Sequence, residues 1–155
     1  MSKKSPRHLA RSIAVQGIYH YKTNHATIAE IEDYLKQFEN ELYICADHEL
    51  MHSLLESGTT KFDEMLDYYT PYLQRKIDEI NLIEQAILVI AAVELINNLS
   101  VPSPVIINEA IELSKLYGGS DSHKFINNLV DKLAKQLRLA ENQHHQSGTT
   151  KKTKK

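Results

Sequence analysis

Apolar residues recur along most of this 155-residue chain at intervals of three and four, the spacing that lines up side chains on one face of an α-helix. No segment shows the sustained alternation of apolar and polar residues that marks a half-buried strand. A chain of this length has enough residues to bury one core. The pattern therefore predicts an all-α fold, a single-domain bundle of about seven helices.

The predicted helices of the first half begin at residues suited to capping. Ser5 and Pro6 combine a capping hydroxyl with a proline at the first helical position, and this helix is expected to run to about Lys22. Thr27 and Glu30 form a capping box for a second helix, and Asp47 can cap a third. The apolar stripe expected on the second helix consists of Ile28, Ile31, Leu35 and Phe38.

The middle of the chain is predicted to form one further helical stretch and the central helix of the core. The stretch covers residues 61–70 and is stopped by Pro71. A box-like start at Asn81 and Glu84 then precedes a long apolar helix through about Leu99. Its wide apolar face is typical of a helix that is surrounded by others.

Two more helices are predicted near the end of the chain. Ser103 and Pro104 begin a helix that ends at Gly118-Gly119, since glycine suits a left-handed C-terminal cap. Asp121 can cap the last helix, whose inner face would hold Ile126, Leu129, Val130, Leu133 and Leu137. The remaining sequence is polar and low in complexity. We therefore expect one folded domain over 1–139 and a disordered, lysine-rich tail over 140–155.

The net charge of −2 conceals an uneven distribution of charged residues. Residues 1–29 hold five cations and no acid, residues 30–99 hold fifteen acids against four cations, and residues 100–155 hold nine cations and five acids. This distribution is typical of a basic region that meets an anionic partner, set on an otherwise acidic body. A solvated basic terminus would give the same pattern, so charge alone leaves both interpretations open.

Features that would indicate export, a membrane or a cofactor are lacking in the sequence. Cations interrupt any apolar stretch near Met1, so no signal peptide is recognised. The longest apolar run, residues 86–93, is far shorter than the roughly 20 residues that a membrane span needs. Cys45 is the only cysteine, which excludes an internal disulfide. We expect a cytoplasmic protein without a cofactor and without a membrane association.

One short motif points to enzymatic chemistry. The stretch HELMH fits the H-E-x-x-H pattern of zinc hydrolases, with His48 and His52 as metal ligands and Glu49 as general base. On a helix, however, the apolar stripe of this segment faces away from His52, and no third ligand with a distinctive spacing stands out. A chain with eight histidines also matches the motif readily by chance. A small zinc hydrolase is therefore the alternative, and a non-catalytic protein is favoured.

The first helix, SPRHLARSIAVQGIYHY, carries cations and aromatic rings on one element. Arg7 and Arg11 are four residues apart and share a face, and Tyr19 and Tyr21 follow. Cations bind phosphates and rings stack on unpaired bases, which is how proteins commonly bind single-stranded RNA. The first helix is therefore a candidate RNA-binding element.

Three stretches resemble the NusB family of transcription antitermination factors in order and spacing: PRHLARSIAVQGIY, INLIEQAILVIAAVEL and VPSPVIINEAIELSKLYGGSDSHKFINNLVDKLA. The resemblance extends over most of the predicted domain and is most specific in NEAIEL, the glycine turn and DSHKF. It implies a non-catalytic adaptor that binds single-stranded boxA-type RNA with a small-subunit ribosomal protein in the NusE role. The pair is expected to join the RNA polymerase elongation complex with other Nus factors and to support transcription of ribosomal RNA operons.

The resemblance also implies individual site residues. The residues expected on the RNA face are Lys3, Lys4, Arg7, His8, Arg11, Tyr19, Tyr117, Lys124 and Phe125. Glu84 and Asp121 match positions that face protein partners. Each assignment has a structural alternative, because Glu84 and Asp121 can serve as helix caps and the rings of Tyr117 and Phe125 can belong to the core.

The chain departs from the family pattern at several positions. His8 and Leu9 stand where the family often has arginine, Val89 and Val93 where it often has arginine and tyrosine, and Asn128 where glycine is common. A histidine carries charge mainly below pH ~6.5. We therefore expect weak RNA binding by the protein alone, a shallow salt dependence, and tighter binding when the partner adds contacts. An exposed surface on the first helix is also compatible with a homodimer.

Overall fold

The computed structural model of the chain describes residues 5–117 and 121–139, and these residues form helices and connecting loops without a strand. Two short 3₁₀ helices, Thr70–Tyr72 and Ile77–Glu79, precede the central helix. The α-helices are α1 (Pro6–Asn24), α2 (Ile28–Phe38), α3 (Asn40–Cys45), α4 (His48–Thr60), α5 (Phe62–Asp67), α6 (Leu82–Asn97), α7 (Ser103–Tyr117) and α8 (Ser122–Leu137). The all-α prediction is confirmed.

The predicted caps at the starts of the helices are largely confirmed. The Ser5 hydroxyl accepts a hydrogen bond from the His8 backbone N–H at 3.1 Å, ahead of Pro6. Thr27 and Glu30 form the reciprocal capping box of α2, and the Asp47 carboxylate accepts from the backbone N–H of Leu50 at 3.0 Å. These bonds satisfy N–H groups that have no partner within the helix.

Helix α6 lies at the centre of the bundle and packs against α1, α4, α5, α7 and α8. Its residues 86–95 are all buried, and all of them except Glu94 are apolar, as expected of a helix that is surrounded by others. Tyr69 lies fully buried against it and donates its hydroxyl hydrogen to the Leu88 carbonyl at 2.7 Å. Burial raises the pKa of the Tyr69 phenol, which therefore stays a neutral donor.

The C-terminal end of α6 is held by an arginine from the end of α8. Arg138 is 3% exposed and donates to the backbone carbonyls of Leu95 at 2.9 Å, Val101 at 3.0 Å and Asn98 at 3.2 Å. Carbonyls at a helix C-terminus lack partners within the helix and carry partial negative charge. The guanidinium therefore joins α8 to the loop that leads from α6 into α7.

Helices α1 and α4 approach closely because each has a glycine at their contact. An ideal Cβ on Gly17 would lie 2.3 Å from Leu55 Cδ2 and 3.0 Å from Ile31 Cγ2. A Cβ on Gly58 would lie 2.5 Å from Ile18 Cδ1. All of these neighbours are buried, so a larger residue at either position has little room.

Several predictions about the elements differ from the structure. Helix α3 was not predicted, and the helix expected over 61–70 ends at Asp67 before the 3₁₀ turn. Helix α1 extends beyond Lys22 because His25 adopts a left-handed conformation and caps it, with φ 54°. Phe38, expected on the apolar stripe of the second helix, is the last residue of α2 and is 62% exposed.

Two predicted features lie outside the described residues, namely the Gly118-Gly119 cap and the tail over 140–155. Asp121 does precede α8, but its side chain makes no capping hydrogen bond. In the described part of the chain, no helix combines the length and apolar character that crossing a membrane requires.

Candidate nucleic-acid interface

The first turn of α1 presents a cation of the predicted RNA face. The Arg7 side chain is 47% exposed, and its Nη1 lies 3.7 Å from Asp47 Oδ2. Such a long, solvent-exposed pair is weak, so the guanidinium remains accessible to an anionic ligand. Lys3 and Lys4 lie outside the described residues.

A buried ion cluster joins α1 to α6 and α7 one helical turn further along. Nε and Nη2 of Arg11 donate to the two carboxylate oxygens of Glu94 at 2.6 and 2.9 Å, and Nη1 donates to Glu109 Oε1 at 3.1 Å. His8 Nδ1 lies 2.6 Å from the second oxygen of Glu109. Burial alone lowers the pKa of Arg11, but the bond to Glu94 and both carboxylate charges raise it above its ordinary value.

This cluster changes the expected roles of two residues. Arg11 and His8 are 2% and 8% exposed, and their polar atoms point at carboxylates inside the bundle. A side chain enclosed in this way is not available at the surface for a phosphate oxygen. We therefore correct the expected RNA contacts of Arg11 and His8. The guanidinium and the imidazole hold α1 against α6 and α7.

Two predicted tyrosines lie on or against α1. Tyr19 is 39% exposed, and no described side chain makes a hydrogen bond to its hydroxyl. The Tyr117 hydroxyl lies 2.6 Å from Ser12 Oγ and accepts from Gln16 Nε2 at 2.8 Å. The end of α7 is therefore fastened to the middle of α1, and the two helices form one surface.

The start of α8 carries the remaining predicted contacts. Lys124 is exposed, and the Phe125 ring is partly buried. The Arg75 guanidinium carbon lies 4.3 Å from the centre of that ring, which is a cation–π geometry. Sequence reasoning missed Arg75 because no motif surrounds it. The only sequence feature that distinguishes Arg75 is that it is one of four cations among the fifteen acids of residues 30–99.

Glu84 and Asp121 have different environments. Glu84 is 7% exposed, its backbone N–H donates to the Asn81 side chain, and its carboxylate accepts a hydrogen bond from the Ser122 hydroxyl. The expected capping box is therefore half formed, because the carboxylate joins α6 to α8 and does not return to its own helix start. Asp121 is exposed beside this contact.

The HELMH segment forms the first turns of α4, and both of its histidines already have partners. His48 Nε2 lies 2.6 Å from the Tyr43 carbonyl oxygen, and His52 Nδ1 lies 3.0 Å from Glu32 Oε1. Among the described residues, no group of three or more histidine, cysteine or carboxylate side chains is arranged to hold a metal ion. The zinc hydrolase alternative thus has no support in this part of the chain.

The His52 contacts predict a measurable titration. The hydrogen bond to Glu32 raises the pKa of His52 above its ordinary value, burial opposes this shift, and the charges of Glu32 and Glu56 add to it. Stability from these pairs is present at low pH and is lost as pH rises through the raised pKa. In an NMR titration we expect the His52 midpoint to lie above 6.5 and to fall in Glu32→Gln. An unchanged midpoint in the variant would contradict this assignment.

Comparison with protein families gives one match that covers most of the chain. The model of the NusB family matches residues 8–135. This range includes α1 from its first turn, the central helix and nearly all of α8. The match therefore contains the ion cluster, both tyrosines and the start of α8.

Individual proteins also resemble this chain over almost their whole length. Transcription antitermination protein NusB of Aromatoleum aromaticum is 43% identical over 141 residues, which cover 91% of this chain and 96% of that protein. The protein of the same name from Burkholderia ambifaria is 39% identical over 94% of this chain and 99% of its own. Among solved structures, T. maritima NusB superimposes with a TM-score of 0.69 at 23% identity, over 86% of this chain and 93% of that one, and supports the fold.

Proposed function

Because this chain belongs to the NusB family of non-catalytic transcription antitermination factors, we propose that it binds boxA-type single-stranded RNA together with a small-subunit ribosomal protein in the NusE role. The pair then associates with RNA polymerase and other Nus factors during transcription of ribosomal RNA operons, in the cytoplasm. The chain acts as an adaptor, whose affinity for RNA and partner matters, and no covalent bond is made or broken.

The observation that supports the RNA site best is the junction of α1 with the end of α7. The Tyr117 hydroxyl bonds to Ser12 and Gln16, so a half-buried ring stands beside the helix that carries Arg7 and Tyr19. An accessible cation and accessible rings thereby belong to α1 and to the helix end that is fastened to it. Cations neutralise phosphates and rings stack on unpaired bases, and single-stranded RNA needs both.

Within this site the residues have distinct proposed tasks. Arg7 contacts phosphate, together with Lys3 and Lys4, and Tyr19 offers a ring for base stacking. Lys124 and Phe125 extend the surface at the start of α8. Arg11 and His8 act as positioning residues, because they hold α1 in place through Glu94 and Glu109 without touching the RNA.

The partner protein is proposed to contact the region where α6 and α8 meet. Asp121 is exposed there and can pair with a basic partner, whereas the Glu84 carboxylate is bonded to Ser122. Glu84 therefore contributes by fixing the start of α8, and through it Lys124 and Phe125. A partner that adds its own RNA contacts raises the affinity of the complex, because the second contact is made at a high effective concentration.

Substitution of Arg7 and Tyr19 tests the RNA site. Tyr19→Ala is expected to weaken boxA RNA binding about tenfold, since one base–ring stack contributes about 1–3 kcal/mol. Arg7→Ala is expected to weaken binding to all RNA sequences alike and to reduce the slope of log affinity against log salt by about one. The measurement is fluorescence anisotropy of labelled boxA RNA at two salt concentrations, with and without the ribosomal partner.

The matched control is Lys61→Ala, which removes an exposed lysine at the junction of α4 and α5. This control is expected to leave both the affinity and the salt slope unchanged. If Arg7→Ala and Tyr19→Ala both bind boxA RNA as the unaltered protein does, the RNA surface lies elsewhere.

A further inference from the structure

Three aromatic side chains contact one another, with their ring planes tilted, at the surface where α1 meets α2. The His20 and Tyr34 ring centres are 4.4 Å apart, and those of Tyr34 and Phe38 are 4.8 Å apart. Tyr34 is 38% exposed and Phe38 is 62% exposed. These three residues, here called the ring stack, form a continuous aromatic surface that ends in the open ring of Phe38.

The ring stack is not part of the core. The buried face of α2 is formed by Ile31 and Leu35, while Tyr34 and Phe38 lie along the edge of that face, four residues apart. Single exposed apolar residues are ordinary on protein surfaces, but contiguous exposed rings leave apolar area in water that a partner can cover. The arrangement is therefore suited to binding.

The part of the ring stack's surroundings that α2 and α3 form is acidic. Residues 28–45, which make up α2, α3 and their junction, hold five carboxylates and a single cation, Lys36. Glu30 lies one helical turn before Tyr34, and hydrogen bonds from Thr27 lower its pKa and keep it ionised. Glu32 is bonded to His52, but Asp33 and Glu41 are exposed and form no ion pair with any described residue.

We propose that the ring stack and these carboxylates form a docking surface for an arginine-rich segment of a protein partner. A guanidinium can lie flat on the open Phe38 ring, and the carboxylates of α2 and α3, Asp33 and Glu41 among them, attract the positive charge of the segment. Arginine suits both contacts better than lysine does, since its group is planar and donates several hydrogen bonds. None of the three ring-stack residues is assigned to the RNA site or to the region where α6 and α8 meet, although His20 directly follows Tyr19 on α1.

Two other occupants fit the surface less well. RNA offers bases for the rings, but its phosphates would be repelled by the surrounding carboxylates. A second copy of this chain would bring another acidic surface with only one lysine, so identical surfaces would repel each other. Charge complementarity therefore favours a cationic protein segment.

The test is an NMR titration of the isotopically labelled full chain with short peptides. The first peptide alternates arginine with alanine, the second alternates lysine with alanine, and an oligouridylate serves as the RNA probe. We expect the arginine peptide to shift the backbone amide signals of residues 33–41 and to bind more tightly than the lysine peptide. Replacing both rings, Tyr34→Ser with Phe38→Ser, is expected to weaken arginine-peptide binding about fivefold.

Two further variants distinguish the contribution of the rings from that of exposed apolar surface elsewhere and from that of the carboxylates. Leu99→Ala removes an apolar side chain that is 69% exposed elsewhere, and it is expected to leave peptide binding unchanged. Asp33→Asn with Glu41→Gln keeps the rings, and it is expected to reduce the salt dependence of binding. Circular dichroism checks that each variant remains folded.

Four results would overturn the proposal. Equal binding of the arginine and lysine peptides would indicate bulk charge attraction alone. Unchanged arginine-peptide binding by the folded double ring variant would remove the rings from the site. Shifts of residues 33–41 caused by oligouridylate would identify an RNA surface. Shifts that depend on protein concentration without a peptide would identify self-association.

Discussion

Arg11→Ala is expected to lower the free energy of unfolding by about 3–5 kcal/mol, because it breaks a buried ion pair from one side. The Glu94 side chain is 1% exposed and receives two hydrogen bonds from Arg11, at 2.6 and 2.9 Å. Without the guanidinium, the weak 3.4 Å bond from Asn98 is the only side-chain hydrogen bond to this carboxylate from the described residues. A buried charge without its partner is far costlier than a lost surface contact. Urea denaturation followed by circular dichroism measures the loss.

Two controls distinguish the effect of losing this buried ion pair from the effect of losing a positive charge alone. Arg7→Ala removes an exposed arginine on the same helix, and it is expected to cost less than about 1 kcal/mol. Arg11→Lys keeps a charge but cannot donate to both Glu94 oxygens with the same planar geometry. This variant should therefore lose an intermediate amount of the free energy of unfolding. Equal small losses for Arg11→Ala and Arg7→Ala would contradict the buried cluster.

Gly17→Val is expected to destabilise the protein by about 1–3 kcal/mol, because it forces α1 and α4 apart. Even an ideal Cβ at this position meets Leu55 Cδ2 at 2.3 Å, and valine adds two methyl groups to it. Leu55 is fully buried, so its side chain has no free space into which it can turn. Thermal or urea denaturation of the purified variant measures the change in the free energy of unfolding.

A second substitution tests whether the clash with Leu55 is the cause. Leu55→Ala alone is expected to lower stability by about 2–5 kcal/mol through the cavity that it leaves. Valine at position 17 can fill part of that cavity, so the double variant should lose less than the sum of both single losses. Strict additivity would show that the two positions do not compete for the same space.

Most of the helical framework could be predicted from the sequence, because its signals are local. A capping hydroxyl, a capping box and an apolar spacing act within one or two turns, so Ser5, Thr27 and Asp47 were identified correctly. The central position of α6 followed from its apolar composition. The short helix α3 was missed because it has neither a capping side chain nor a buried residue.

The candidate site was less predictable. The local sequence around a charged residue does not show whether its side chain faces solvent or pairs with a carboxylate that is distant in the chain. Arg7 and Arg11 share a helix face in the sequence, yet Arg7 is exposed and Arg11 is buried. Arg75 lies over the Phe125 ring although fifty positions separate them. Nothing near Arg75 in the chain indicates this contact.

The sequence by itself determined the family, the helix starts, the apolar core helix and the basic character of α1. Only the tertiary structure decided which of those cations remain accessible. Glu94 and Glu109 approach Arg11 from helices that lie more than eighty residues further along the chain. Local sequence patterns carry no information about such pairs, since burial and partners arise only when the bundle closes. The same holds for Phe38, which the closed bundle leaves in water with Tyr34 stacked against it.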